Sequence, residues 1–130
     1  MATDASSSTT DDVGFDTTSL TRLHYLGVAL AAVTGVIHLV LGVGFLPSPL
    51  AVSFVLAGLG FFGGVALFLF GVRRRQVVAV GIPFTLLQFF AYFALNWPDV
   101  VSPVGLFDKV VQLALVGVLV AVYRAESAEN

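Results

Sequence analysis

The chain has 130 residues, 58% of them hydrophobic and 11% charged, with a formal net charge of −2. A water-soluble domain of this size has too high a surface-to-volume ratio to hide so large an apolar fraction, which leaves the bilayer as its solvent. There is no cysteine, so disulfides, thiolate chemistry, Cys-ligated zinc and iron–sulfur clusters are excluded.

Residues 1–21 form an acidic, Ser/Thr-rich leader. Asp4, Asp11, Asp12 and Asp16 are its charges, no basic residue precedes Arg22, and the segment has too little to bury, so a disordered cytoplasmic tail is expected. It is not a signal peptide, because it lacks a basic start and the first apolar run is too long and begins too late. Apolar runs then fill 23–46, 50–72, 77–95 and 104–123. Each is near the roughly 20 residues that a helix needs to cross a hydrocarbon core. The expectation is an all-α, integral membrane four-helix bundle over 22–124, followed by a short cytoplasmic tail at 125–130. Its place is the cell membrane and its main partner the lipid bilayer.

Helix one carries Gly27, Ala31 and Gly35 at helical spacing, with Thr34 and His38 as its polar residues. Leu46-Pro47-Ser48-Pro49 turns it into helix two, since two prolines this close stop a helix. Helix two carries Ser53 and the small residues Gly60, Gly63 and Gly64. Small faces let backbones approach, which in lipid drives association by packing; they serve either the bundle itself or a homodimer through Gly60 and Gly64. Arg73, Arg74 and Arg75 join helices two and three. Basic residues near helix ends favour the cytoplasm, so these arginines place this turn and both termini inside, in agreement with Arg22 and Arg124. The triplet is too short and too close to the membrane to bind nucleic acid.

Helix three contains Pro83, which implies a local bend or, less plainly, a gating hinge. Gln88, Tyr92 and Asn96 share one of its faces. Short loops make neighbouring helices antiparallel, in up-down-up-down order. Ser102-Pro103 reads as an N-cap followed by proline at the first helical position of helix four. Asp108 and Gln112 share a face there, and the uncharged run from Val110 to Tyr123 covers only about 21 Å. Asp108 and Lys109 therefore either snorkel to the outer interface or lie partly inside the bundle, and for Lys109, with its long stem, snorkelling is expected.

Polar groups in lipid carry whatever functional signal exists. His38, Gln88 and Gln112 each lie about 12–13 Å inside the outer end of a run, so one layer is expected, with Tyr92 and Asp108 nearer the surface. Two readings follow. The plainer is interhelical hydrogen bonding that fixes register. The sharper is a ligand or proton site in a cleft open to the outside, with His38 at its floor and Asp108 at its mouth, since histidine titrates near neutral pH. His24 and His38 also lie on roughly one helix face, like the paired histidines of two-haem cytochromes; with no third histidine, only a dimer would complete that ligation, and no cofactor or metal is predicted. No catalytic triad or phosphate-binding loop presents itself.

The acidic leader, Leu23-His24-Tyr25-Leu26-Gly27, Gly35-Val36-Ile37-His38-Leu39 and Asp108-Lys109-Val110-Val111-Gln112 resemble the small, uncharacterised four-helix membrane proteins of salt-loving archaea. That resemblance implies no activity. In layout the chain is also similar to DoxX-like membrane proteins, which implies a quinone or redox partner. Two function classes remain: a non-enzymatic structural or partner-binding membrane component, associating with itself or another membrane protein, and a small transporter or redox-associated protein using the His38 layer.

Overall fold

The computed structural model describes residues 20–129; residues 1–19 of the acidic leader, with the disorder expected there, lie outside them. Four helices follow in order: α1 (Arg22–Gly44), α2 (Pro49–Leu69), α3 (Arg74–Asn96) and α4 (Pro103–Glu129). All four are long and apolar enough to cross a membrane. Each packs on its neighbours in sequence, and α4 closes the ring onto α1. The result is the expected up-down-up-down bundle. We call its two ends the arginine end and the proline end, after the turns Arg73–Arg75 and Pro47–Pro49.

The helix boundaries follow local chemistry. Thr21 and His24 form a reciprocal cap on α1: the Thr21 side chain accepts from the His24 N–H, and His24 Nδ1 accepts from the Thr21 N–H at 2.9 Å. Ser48 caps α2 through the Ala51 N–H at 3.2 Å, with Pro49 at the first helical position. The same device starts α4, where Ser102 Oγ accepts from the Gly105 N–H at 3.3 Å. α2 stops at Leu69, short of the end of its apolar run. Gly71 takes φ 76° there, and the N–H groups of Gly71 and Val72 return to the carbonyls of Phe68 and Leu67. Two orphan carbonyls are thereby satisfied, the double-bonded ending that a left-handed glycine permits. α3 runs unbroken through Pro83. α4 continues to Glu129, beyond the apolar run that ends at Tyr123.

Small residues set the closest approaches. Gly42 and Gly58 bring α1 and α2 nearly into backbone contact: a Cβ on Gly58 would stand 2.9 Å from the Gly35 carbonyl, and one on Gly42 would stand 2.8 Å from the Val55 nitrogen. Gly27 instead faces Val118 of α4, and Gly60 accommodates the Phe84 ring of α3. Gly64 has only Val77 within 4 Å, and both Gly64 and Ala31 line a small cavity inside the bundle.

The two halves of the bundle differ. Towards the arginine end the interior is apolar, built on Phe68, Val78, Val118 and Val122. Towards the proline end, α2 and α3 are the most loosely packed neighbours in the ring. Outward faces are apolar throughout, with Val40, Leu56, Leu87 and Phe90 each more than 60% exposed, as a lipid-facing surface requires.

Candidate functional site

Five buried polar side chains meet in the proline half: Thr34 and His38 from α1, and Asp108, Lys109 and Gln112 from α4. Thr34 is the hub. Its hydroxyl donates to Asp108 Oδ1 at 2.6 Å and accepts from Gln112 Nε2 at 3.4 Å. Its backbone carbonyl takes the His38 Nδ1 proton at 2.8 Å. A carbonyl only accepts, so Nδ1 carries the proton, and in the neutral ring Nε2 is left as an acceptor. The imidazole is held between Phe54 and Phe61, at centroid distances of 5.3 and 5.8 Å.

Lys109 does not snorkel. Its residue exposure is 6%, and its ammonium turns into the bundle. There it lies 3.2 Å from Asp108 Oδ2, donates to Gln112 Oε1 at 2.5 Å, and sits 5.0 Å from the centroid of the Tyr92 ring. The expectation failed because a long stem reaches water only when no partner waits inside. Here a carboxylate at the preceding residue and an amide one helical turn on supply two. Inward burial also accounts for the short uncharged run of α4, because the helix begins at Pro103 and its charge pair is enclosed by protein.

Tyr92 closes the cluster towards the proline end. Its hydroxyl donates to the Val100 carbonyl at 2.6 Å, and its ring lies over Gly105, where a side chain would collide with it. Gln88 stands apart from the cluster. Its Nε2 donates to the Phe84 carbonyl of its own helix at 3.1 Å, while its buried Oε1 has no partner. The expected layer is therefore split: His38 and Gln112 share the hub Thr34, and Gln88 does not join them.

All of these groups except Thr34 and Gln112 border a cleft of about 830 Å³. Leu50, Phe54 and Leu56 of α2 and Leu87, Ala91 and Leu95 of α3 form its two apolar walls. Those are the two loosely packed helices, so the cleft opens sideways between them, with His38, Asp108 and Lys109 at its back. Phe84 borders it towards the arginine end and meets Phe61 edge to face at 5.1 Å. Phe84 also borders the second cavity, an apolar void of about 90 Å³ in the arginine half. The volume of the cleft falls within the range of about 300–1,000 Å³ usual for small-molecule sites.

Thr34 was visible in the sequence as a polar residue one turn before His38, but its role as hub was not. His24 is occupied elsewhere: besides capping α1, its Nε2 lies 4.0 Å from Glu126 Oε2 and its ring packs against Phe68. At the same end, Arg74 donates to the Phe68 carbonyl at 2.7 Å and Arg75 covers the Tyr123 ring at 4.6 Å. Among the described residues, no group of three His, Asp or Glu side chains is placed to hold a metal ion.

Fold and site together define a small helical bundle of membrane-spanning length with a polar-backed lateral cleft. The chain belongs to a family of unknown function, DUF7475, which matches residues 9–123. No curated protein and no solved structure matches it.

Proposed function

We propose that the protein is a non-enzymatic membrane component that holds a small amphipathic molecule in the cleft between α2 and α3. The observation that carries this reading is the Asp108–Lys109 pair at the back of a ligand-sized opening. Holding the helices together does not call for it. The hydrogen bonds from Thr34 to Asp108 and from Gln112 to Thr34 already tie α1 to α4, and neutral side chains would do that work. A buried ion pair is commonly no more stabilising than apolar residues of the same volume, so its presence beside an opening points to use.

The walls favour an amphiphile. They are mainly aliphatic and aromatic, with Ser53 and Gln88 as their polar residues, and the charged groups gather at the back and the rim, the distribution of a site that orients one polar end. The arginine half favours binding over transit, since the space there is a small void of about 90 Å³ with an almost wholly apolar lining, which offers a polar solute no partners. We also place the arginine end in the cytoplasm, on the rule that basic residues stay inside, so that the cleft opens in the outer half of the membrane.

The test is purification in a mild detergent followed by native mass spectrometry. The parent is expected to retain a small lipophilic adduct, and Ala91→Phe, which fills the cleft from one wall, is expected to lose it at unchanged helix content. Equal adducts on both proteins, or none on the parent in lipid-supplemented preparations, would reject the reading.

A further inference from the structure

We infer that the occupant of the cleft is an uncharged, hydroxyl-bearing amphiphile that enters sideways from the bilayer and donates its hydroxyl hydrogen to the cleft. The inference rests on the reading of the cleft as a binding site and adds the chemistry of the head group.

Two observations select a donor. His38 Nδ1 is committed to the Thr34 carbonyl, so the ring atom without a bond is Nε2, an acceptor in the neutral imidazole. Gln88 Oε1 is a second acceptor, buried and without a partner. Both residues border the cleft, one on α1 and one on α3. A buried acceptor left unpaired is costly, and a hydroxyl is the simplest group that satisfies one. The stronger donors nearby are mostly engaged. Lys109 bonds Asp108 and Gln112 and turns towards the Tyr92 face, the Thr34 hydroxyl goes to Asp108, and the Tyr92 hydroxyl goes to Val100. A head group that only accepts, such as a ketone or an ether, leaves both of these acceptors unpaired.

Charge selects neutrality. The cationic Lys109 is matched by Asp108 within the same cluster, so the back of the cleft carries no net charge. An anionic head would bring an uncompensated charge against a buried carboxylate, and a cationic head would do the same against the ammonium. The side walls are apolar and part where α2 and α3 pack most loosely, which gives the tail of a membrane-dissolved molecule a path that avoids water.

The experiment compares three probes of equal chain length in the same micelles: 1-dodecanol, dodecyl methyl ether and dodecanoate at a pH where it is ionised. Binding to the full-length protein is read by native mass spectrometry. The imidazole ¹⁵N resonances of the two histidines report the contact, with His24 as internal reference. The alcohol is expected to bind about fivefold more tightly than the ether, the ratio that one net hydrogen bond supplies. It should also shift His38 Nε2 while leaving His24 unmoved. Gln88→Leu and His38→Phe should each weaken the alcohol severalfold and leave the ether unchanged. Gln88 bonds only its own helix, so that variant keeps the test open where His38→Phe fails to fold. Equal binding of alcohol and ether overturns the donor inference while leaving a site for amphiphiles. Tightest binding of dodecanoate overturns it too, by showing that Lys109 is an available cation. Failure of all three probes removes the cleft reading itself.

Discussion

Removing the charge of Lys109 perturbs the pair most directly. Its ammonium lies 3.2 Å from Asp108 Oδ2, with both side chains no more than 7% exposed. At an effective dielectric of about 20, an attraction over that distance is about 5 kcal/mol. Lys109→Met keeps most of the stem and leaves Asp108 with only the Thr34 hydroxyl. Breaking a buried pair at one side costs about 3–5 kcal/mol, and Thr34 still bonds the carboxylate, so a loss of about 3 kcal/mol is expected. Asp108→Asn should cost a similar amount, because it retains an acceptor for Thr34 but strands the ammonium. The double variant removes both charges and should be no less stable than either single one, a coupling of about 3 kcal/mol. Unfolding in mixed micelles, followed by loss of helical circular dichroism, measures all four proteins. Additive losses in the double variant, or a Lys109→Met protein as stable as the parent, would refute the view that these charges compensate one another inside the bundle.

The remaining predictions concern packing, the aromatic lid and orientation. Gly42→Ala and Gly58→Ala should each destabilise the bundle by about 1–3 kcal/mol, since both press on backbone atoms; Gly117→Ala meets nothing within 4 Å and should be neutral or gain up to about 1 kcal/mol in the same unfolding assay. Gly105→Ala should displace the Tyr92 ring from Lys109, and Tyr92→Phe should cost about 1 kcal/mol by removing the bond to Val100. Thermal unfolding would show a larger loss for Gly105→Ala, and the reverse order would contradict the geometry. The parent has no cysteine, so Asp99→Cys and Gln76→Cys report orientation cleanly. An impermeant maleimide should label only the first in intact cells, and exclusive labelling of the second would invert the bundle.

Helix positions along the membrane axis were legible because an apolar run and a 1.5 Å rise fix them with no knowledge of neighbours. Even there, local chemistry moved the ends: Gly71 stops α2 at Leu69, and α4 begins at Pro103 despite the charges at Asp108 and Lys109. Depth grouped His38, Gln88 and Gln112, but depth says nothing about direction around each helix. That depends on which helices touch. α1 packs on α4, so Thr34 and His38 meet Asp108 and Gln112, while the side chain of Gln88 stays on its own helix beside the cleft. The same gap explains the glycines. Gly42 and Gly58 make the close backbone approaches, while the regular spacing of Gly27, Ala31 and Gly35 is what the sequence displays, because a period is visible in one chain and a facing partner is not.

The asymmetry of the ring has one physical source. α1 and α2 are joined by glycines whose backbones nearly touch, and α1 and α4 by hydrogen bonds through Thr34. α2 and α3 have one close device, the Phe84 ring over Gly60, which lies on the arginine side of the cleft and pairs with Phe61. Beyond Phe84, towards the proline end, Leu56 and Leu87 border the seam with most of their surface exposed. Lipid tails are as apolar as leucine, so no hydrophobic force draws such walls together. An open seam between apolar walls is therefore stable in a bilayer, where in water it would collapse. On the proposed reading of the cleft, that stability lets a charge pair and the open His38 nitrogen stand at its back, with the unpaired Gln88 oxygen at its side.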